Sequence, residues 1–368
     1  QEFGDAMAMH PRFHPFAKAV VLDQMMREAG ADVRYGAMVW GVEQQDGIVH
    51  EVFARTQQGT VRIKAGACVD GTGDGDLCAA AGADFRLGRY GDRRLHAYSQ
   101  SCGFSHQQDD GDVKAHHLNF DAGWCEPYDP DDLTRARVSA ISDYAESEVE
   151  EFGHADYIAP LIGVRQGRLI ETDYTVTFED MLKSRRFDDA IGWVGCWLDN
   201  HSRDIELESH EFAFWMWHAR ASRMPVGCQL PYRCIVPAGL DNVWIAARCL
   251  GVTQDAGYSI RMERDIQRAG EAAGYAAALA IQNDVDARGV PYAEMKAALD
   301  ATGALELPMK DPVFSSHVDP EALALPPDQH ALIEESLVRL DEGKAGKHLA
   351  HLYFLGDEVA GSVKGRLS

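Results

Sequence analysis

The segment that most constrains the fold runs from residue 241 to residue 282, where a short apolar run precedes a long alanine-rich run. Residues 243–247 are few and apolar, which is typical of a buried strand. Residues 261–281 are too many for one strand and are rich in alanine, so they predict a helix. Residues 255–259 lie between them and predict a turn. Because the start of a helix favours negative charge, this turn is a natural place for an anionic ligand.

Small residues recur along the predicted helix. Gly270, Gly274 and Ala278 are four residues apart and therefore share one face. A glycine within a helix costs about 0.5–1 kcal/mol relative to alanine, so this face needs a packing or ligand reason. We expect it to let the helix lie very close to a sheet. An ordinary strand, loop and helix in a tightly packed core would satisfy the same pattern.

Length and charge narrow the class of protein. The 368 residues allow one large or two modest domains. A formal net charge of -23 argues against nucleic acid and anionic membrane surfaces, because those contacts need lysine and arginine. No apolar run is long enough to span a bilayer. The eight cysteines are scattered without a Cys-x-x-Cys pair, which favours reduced thiols in a cytoplasmic protein.

The N-terminal part predicts a helix followed by an antiparallel meander. Pro15 suits the first turn of a helix over residues 16–29, and Gly30 suits its end. Asp46-Gly47 is a hairpin-turn signal. The predicted strands are residues 31–35, 37–43, 48–55 and 60–65.

An acidic glycine-rich loop follows the meander, from Asp70 to Asp76. Its residues are compatible with a plain turn. They are also compatible with a calcium loop, since acidic and hydroxyl residues alternate and Gly75 occupies the sixth position. The twelfth position, however, is Ala81, where such a loop needs a bidentate glutamate.

Two arginines and a histidine are candidates for chemistry. Arg165 and Arg168 are three residues apart and could together bind a carboxylate, although a pair of structural salt bridges fits the same spacing. His201 is a candidate for proton transfer because histidine titrates near neutral pH. A lone histidine can equally be a structural hydrogen-bonding residue. The aromatic residues between 212 and 217 predict either core or the wall of a pocket.

Several segments occur in the order found in one known family. They are Val69-Asp70-Gly71-Thr72-Gly73-Asp74-Gly75, Leu198-Asp199-Asn200-His201, Leu230-Pro231-Tyr232-Arg233, Ala246-Ala247-Arg248, Arg261 and Gly270-Glu271-Ala272-Ala273-Gly274. Together they resemble the FAD-dependent oxidoreductases with a glutathione-reductase-like fold, over roughly residues 10 to 310. Ala247 stands where that family has glycine, and Glu271 stands where it has glutamine.

The resemblance implies an α/β protein with a glutathione-reductase-like FAD-binding fold, built on an incomplete Rossmann-type domain. Residues 1–85 and 229–310 would form the FAD-binding domain. Residues 86–228 would form an inserted substrate domain containing a β-sheet. Residues 311–368 would form a small C-terminal helical extension.

The resemblance also implies FAD as cofactor, no metal, and removal of a hydride from a small organic substrate. The implied catalytic residues are His201 for proton transfer, with Arg165 and Arg168 to orient an anionic group. The implied cofactor-binding residues are Gly71, Thr72, Gly73, Asp74, Gly75, Ala247, Arg248, Gly257, Tyr258, Ser259 and Arg261. The amides of residues 257–259 and the adjacent helix start would stabilise negative charge on the reduced flavin.

One expected motif is missing. A flavoprotein of this kind normally opens with Gly-x-Gly-x-x-Gly between a strand and a helix, and the chain contains no such fingerprint. We therefore expect that a second chain supplies this nucleotide-binding unit in a hetero-oligomer, or that it was removed, or that it was lost. Loss would favour the alternative function, a non-catalytic scaffold or interaction subunit with a degenerate flavoprotein fold.

Overall fold

A computed structural model describes most of the chain. The described residues are 15–306, 328–342, 348, 351–356 and 359, without 108, 110, 112, 121–122, 144–153, 197, 202–203 and 220–225. Part of the predicted C-terminal extension at residues 311–368, including residues 311–327, therefore lies outside the described residues.

The N-terminal part is a helix followed by a three-stranded antiparallel meander. Helix α1 spans Pro15–Glu28, and Gly30 beyond its end has a positive φ of 75°. The strands are β1 (Met38–Gln45), β2 (Ile48–Thr56) and β3 (Gly59–Lys64), in the order β1-β2-β3. The helix and these three strands confirm the prediction within two residues at each end.

The predicted strand at residues 31–35 is wrong. This segment has no strand structure and instead turns back towards α1, where the Tyr35 hydroxyl donates a 2.7 Å hydrogen bond to Asp23. The Arg34 guanidinium bonds its own neighbour Asp32 at 2.9 Å. These side chains are thus hydrogen-bonded locally, and no strand in the described part of the chain pairs with this segment.

A parallel pair of short strands joins the N-terminal part to the C-terminal part. Strand β4 (Cys68–Asp70) pairs with β12 (Val243–Ile245), with Asp70 opposite Ile245. Helix α7 (Glu263–Asn283) contacts both strands. All three residues of β12 are fully buried, which confirms the predicted buried strand.

Helix α7 packs through alanines rather than through the predicted glycine face. Gly270 lies near the strand end, where an added Cβ would be 4.0 Å from that of Ala246. Gly274 and Ala278 are exposed, so the predicted close-packing face is wrong beyond Gly270. Alanine is small enough for close packing and avoids the cost of glycine. The buried residues of α7 are Asp265, Ala269, Ala272, Ala273, Ala276 and Ala280.

The remaining elements complete the chain between and beyond these two parts. The additional strands are β5 (Phe85–Leu87), β6 (Gln100–Gln107), β7 (Val113–Phe120), β8 (His154–Ile158), β9 (Arg168–Ile170), β10 (Ala190–Val194) and β11 (Cys228–Pro231). The additional helices are α2 (Asp76–Ala80), α3 (Pro130–Asp143), α4 (Phe178–Leu182), α5 (His210–Ala219), α6 (Gly257–Ile260), α8 (Tyr292–Ala301) and α9 (Gln329–Asp341), and residues 351–356 are also helical.

These strands form small antiparallel sheets. The order β7-β6-β8 makes a three-stranded sheet within residues 86–228, while β5 pairs with β9 and β10 pairs with β11. Helix α4 begins with a capping box in which Thr177 and Asp180 satisfy each other's backbone amides.

The main core surrounds β12 and contains large fully buried side chains such as Trp215 and Trp244. Phe212 is also buried, whereas Trp217 is 76% exposed, so the aromatic run is divided between core and surface. All eight cysteines are buried free thiols. Burial raises the pKa of the Cys228, Cys234 and Cys249 thiols. No described helix is both long and apolar enough to cross a membrane.

Candidate functional site

The acidic glycine loop is held by the buried carboxylate of Asp70 at the end of β4. This carboxylate accepts hydrogen bonds from the Thr72 amide at 3.0 Å, the Thr72 hydroxyl at 2.7 Å and the Cys78 amide at 2.9 Å. Gly73 and Gly75 have positive φ angles of 92° and 68°. At Gly75 an added Cβ would lie 2.6 Å from Ile170, so glycine is required both for conformation and for space.

Arg248 brings the second predicted cofactor segment against this loop. Parallel strands end at the same edge of a sheet, so the residues following β4 and β12 meet there. The Arg248 Nη2 donates to Asp74 Oδ1 at 2.8 Å, and an added Cβ at Gly73 would lie 2.6 Å from Arg248 Nη1. Burial raises the pKa of Asp74, and the Arg248 charge opposes that rise. The Arg248 Nε is buried and has no hydrogen-bond partner among the described residues.

Arg168 supports the same loop from its outer side. Its guanidinium donates to the Asp74 carbonyl at 3.3 Å and to the Asp76 carboxylate at 2.7 Å. It also lies over the rings of Tyr128 and Phe85, with centroid distances of 4.6 and 5.2 Å. The structure therefore places Arg168 beside the glycine loop and not beside His201.

Gln166 and a surface cavity adjoin this loop. Gln166 precedes Gly167, where an added Cβ would lie 2.3 Å from Asp74, and both polar atoms of its buried amide lack a partner in the described part of the chain. A cavity of about 490 Å³ opens on the other side of α2. Its lining residues are Val39, Trp40, Asp76, Ala79, Ala80, Phe85 and Arg168.

A second polar cluster forms around Asp199. His201 Nε2 lies 3.0 Å from Asp199 Oδ1, and Arg261 Nη2 donates to Asp199 Oδ2 at 2.6 Å. Arg165 is nearly buried, with its Nε 4.0 Å from the same carboxylate and its Nη1 on the Ala97 carbonyl at 2.7 Å. Three residues predicted separately for the site, His201, Arg165 and Arg261, thus meet at one carboxylate.

Electrostatics keep the Asp199 carboxylate ionised. Burial alone would raise its pKa, but the hydrogen bond from His201 and the charge of Arg261 outweigh burial and hold the pKa well below its usual range. An ionised Asp199 can fix the orientation of the His201 ring and stabilise that ring when it takes up a proton.

His96 and Tyr258 lie beside this second cluster. Their rings stack in parallel, with centroids 3.9 Å apart and an interplanar angle of 10°. The Tyr258 hydroxyl donates to Glu208 at 2.9 Å, and Glu208 in turn forms an ion pair with the buried Arg89 at 3.1 Å. Tyr258, predicted to contact the cofactor, therefore connects His96 to a charged pair behind it.

The expected turn at residues 255–259 is found only in part: residues 254–256 form a turn, and residues 257–260 form the short helix α6. The amides of residues 257, 258 and 259 donate to the carbonyls of Thr253, Asp255 and Ala256. The Ser259 hydroxyl bridges the amide and carbonyl of Cys196 at 3.0 and 2.9 Å. These amides are consumed within the protein, so the predicted flavin contact through them is not supported by the geometry.

Four residues at these clusters were missed by the sequence reasoning: His96, Gln166, Asp199 as an orienting group, and Glu208. Asp199 precedes His201 by two residues, and that spacing could have suggested the pair. His96 and Glu208 carry no local signal, since their partners Tyr258 and Arg89 are distant in the sequence.

The sequence model of the FAD dependent oxidoreductase family matches residues 2–131 and 125–299 of the chain. The chain belongs to this family, and FAD is its cofactor. Its α/β structure, with helices and several small sheets, is consistent with a flavoprotein fold. No curated protein matches the chain.

The residues at the glycine loop fit a dinucleotide cofactor. Glycine at residue 73 lets the Arg248 guanidinium lie directly against the loop backbone, since an added Cβ would be 2.6 Å from its Nη1. The buried Arg248 Nε–H and the Gln166 amide are hydrogen-bonding groups with no partner in the described residues, and FAD presents phosphate and ribose oxygens that could satisfy donors there. Unsatisfied buried groups of this kind are costly unless a ligand or water fills the site.

Proposed function

We propose that the chain is an FAD-dependent oxidoreductase, or the larger chain of one, that removes a hydride from a small organic substrate. The observation that carries this proposal is the parallel pairing of β4 and β12, which brings the loop of residues 71–75 against Arg248. Two segments that resemble flavin-binding motifs are far apart in sequence and adjacent in space. Bound FAD would supply the two-electron acceptor.

The protein's own groups would hold the cofactor in two places. At the glycine loop, Thr72 and the backbone of Gly71, Gly73 and Gly75 would approach the dinucleotide, with Arg248 and Gln166 as hydrogen-bond donors. Ala247 lies at the strand end beside them and leaves little side-chain bulk. At the other end, helix α7 begins at Glu263, two residues after Arg261, and its N-terminal dipole would stabilise negative charge.

The Asp199 cluster would provide proton transfer and substrate orientation. His201 would accept or return the substrate proton, while Asp199 holds its ring in place. Arg165 would orient an anionic group, since it lies near the same carboxylate. Arg168 would act indirectly, by fixing Asp74 and Asp76 of the glycine loop.

A second chain carrying Gly-x-Gly-x-x-Gly would complete the nucleotide site. Within the described residues β4 pairs only with β12, and parallel strands are normally covered on both sides. Val69 of β4 and Ile281 of α7 are exposed, and Ile281 lies 3.9 Å from a Cβ built at Gly66 next to β4. The face of α7 bearing Gly274 and Ala278 is also exposed. A strand and helix could pack there.

The decisive experiment is purification of the native assembly, followed by its absorption spectrum and intact mass. We expect a flavin spectrum with one FAD per assembly, together with a co-purifying chain that bears the fingerprint. Replacing Gly274 by leucine should disrupt that association, whereas Gly274→Ala should not. An intact assembly that contains no flavin and takes up none would overturn the proposal.

A non-catalytic scaffold is the second candidate function. It is favoured by Ala247, which is buried at the position where the family has glycine, and by the missing fingerprint. If the chain is a non-catalytic scaffold, the purified assembly should neither contain FAD nor bind added FAD. The same spectrum therefore separates the two functions.

A further inference from the structure

The hydrogen bonds of His96 define its tautomer. Its Nε2 lies 3.0 Å from the Gln254 carbonyl oxygen, which can only accept, so Nε2 carries the proton. The Nδ1 atom therefore presents a lone pair. Burial, followed by the positive charges of Arg261 and Arg165, holds the pKa of His96 well below its ordinary value. The ring remains neutral, and Nδ1 remains a hydrogen-bond acceptor.

This acceptor is buried and unused. His96 is only 4% exposed, and Nδ1 has no hydrogen-bond partner among the described residues. The ring cannot easily turn away, because it is stacked on Tyr258 at 3.9 Å and bonded to Gln254. A fixed, buried acceptor without a partner is unusual in a folded protein and points to a ligand.

An unused donor lies in the same cluster. Arg261 directs Nη2 to the Asp199 carboxylate and carbonyl, whereas its buried Nε–H has no partner in the described part of the chain. The His96 ring stacks on Tyr258, and its Cε1 lies 3.7 Å from a Cβ built at Gly257. The Arg261 amide donates to the Gly257 carbonyl, so Arg261 lies one helical turn beyond the residues that His96 contacts. Among the described residues, one acceptor and one donor, both fixed by other contacts, are thus left open in the cluster that contains His201.

The chemistry of this pair selects among ligand groups. An ionised carboxylate only accepts hydrogen bonds and would leave Nδ1 without a partner. A protonated amine could donate to Nδ1 but would be repelled by Arg261 and Arg165. A hydroxyl group can donate to Nδ1 and accept from Arg261 Nε–H through a single oxygen atom. The pair is therefore suited to a neutral hydroxyl.

We propose that His96 Nδ1 and Arg261 Nε–H bind a hydroxyl group of the substrate, so that the enzyme acts on alcohols, polyols or sugars. This assignment rests on the proposed function, because it names the substrate class of that same site. His96 is then a specificity-determining residue: a substrate without the hydroxyl leaves two buried polar groups unpaired. Sites of this type reject analogues that lack the hydrogen-bonding group.

The test follows the ¹⁵N signal of His96 Nδ1 in the flavin-loaded assembly. The signal is assigned by its loss in His96→Gln, a variant that can still donate to the Gln254 carbonyl but has no acceptor at the Nδ1 position. The probes are simple alcohols, glycerol and monosaccharides, and each compound that shifts the signal is compared with its O-methyl ether. We expect at least tenfold tighter binding of the hydroxyl compound than of its ether to the wild type.

The matched variants sharpen the result. His96→Gln should bind compound and ether alike, whereas His96→Asn, whose amide oxygen can replace Nδ1, should keep most of the discrimination. The inference is overturned if the Nδ1 signal shifts on flavin loading alone, if no hydroxyl compound shifts it, or if the ethers bind equally well. Failure to take up flavin would instead count against the proposed function, and the absorption spectrum shows it before any hydroxyl compound is added.

Discussion

Arg248 and Asp74 are separated by 174 residues in the chain, and a 2.8 Å hydrogen bond joins their side chains. The bond connects the two halves that form the glycine-loop end of the site. Because Asp74 is largely buried, its charge depends on this partner and on Arg168 for compensation.

Replacing Asp74 by asparagine should lower the free energy of unfolding by about 1–3 kcal/mol, since the half-buried Arg248 then loses its charged acceptor. The measurement is urea unfolding followed by fluorescence. Asp300→Asn is the control, because the Lys296–Asp300 pair is exposed and should contribute less than about 1 kcal/mol. Equal effects of the two substitutions would show that the Asp74 pair does not join the halves.

Replacing Arg248 by lysine should weaken FAD binding about tenfold, or about 1.4 kcal/mol. Lysine keeps a positive charge for Asp74 but has no Nε–H to offer the cofactor. Titration of the flavin-free assembly with FAD measures the change. Arg233→Lys, at a partly exposed ion pair with Asp189, is the control and should bind FAD as the wild type does. Unchanged affinity in Arg248→Lys would remove Nε from the site.

Two glycine-to-alanine substitutions should act in opposite directions. Gly75→Ala should be strongly destabilising, because the residue has a φ of 68° and an added Cβ would lie 2.6 Å from Ile170. Gly274→Ala should stabilise the chain by about 0.5–1 kcal/mol, because it is helical and nothing lies within 4 Å of the added Cβ. Thermal unfolding of both variants tests the pair. Destabilisation by Gly274→Ala would show that this helix face is tightly packed after all.

His96 should make stability depend on pH. Folding holds its pKa well below 6.5, so below pH 6.5 the unfolded chain takes up a proton that the folded chain does not. The free energy of unfolding should therefore decrease as the pH falls from 6.5 towards the folded pKa. The contribution of this one residue is about 1.4 kcal/mol per pH unit.

His96→Gln should lose this part of the pH dependence, although Arg261, Arg165 and Asp199 around it remain. We would measure the free energy of unfolding of wild type and variant at about pH 7.5 and about pH 5.5. The change in their difference between the two pH values isolates the contribution of His96. A constant difference at both pH values would mean that the folded chain takes up this proton as readily as the unfolded chain, so that folding does not lower the pKa of His96.

His201→Ala should slow flavin reduction by about 10²–10⁴-fold while leaving flavin bound, which is the range expected for loss of a general acid or base. Loss of the visible flavin absorbance after mixing with substrate provides the rate. His50→Ala, an exposed position on the meander, is the control. A variant of His201 with the wild-type rate would show that the proton is transferred elsewhere.

The sequence predicted local elements and the neighbourhood of the glycine loop, but not the finer contacts. Residues 70–76 and Arg248 were expected together because both segments resemble flavin-binding motifs of one family, and the parallel pairing of β4 with β12 brings them to one edge. The prediction of a strand at residues 31–35 was wrong because this segment pairs with no strand among the described residues and bonds to α1 instead. The prediction that the glycine face of α7 packs closely was wrong beyond Gly270. Residue spacing shows which residues share a helix face, but not whether that face points towards the core, and the alanine face is the one that is buried.

The separation of Arg165 from Arg168 shows the same limit. Their spacing suggested one shared role, yet Arg165 faces Asp199 and Arg168 faces Asp76. The irregular segment around them turns between the two residues, and no periodicity in the sequence reports that turn. His96 was not predicted for a similar reason. Its ring is held in place by stacking on Tyr258, which lies far along the chain.

The eight buried cysteines have a practical consequence. A thiol with a raised pKa and no access to solvent cannot be alkylated until the structure around it opens. The rate at which iodoacetamide modifies each cysteine therefore reports local opening at eight separate places, from β4 to the strand ends near Arg248. Comparing those rates with and without FAD would show which parts of the chain open less often when the cofactor is bound, without introducing any new cysteine.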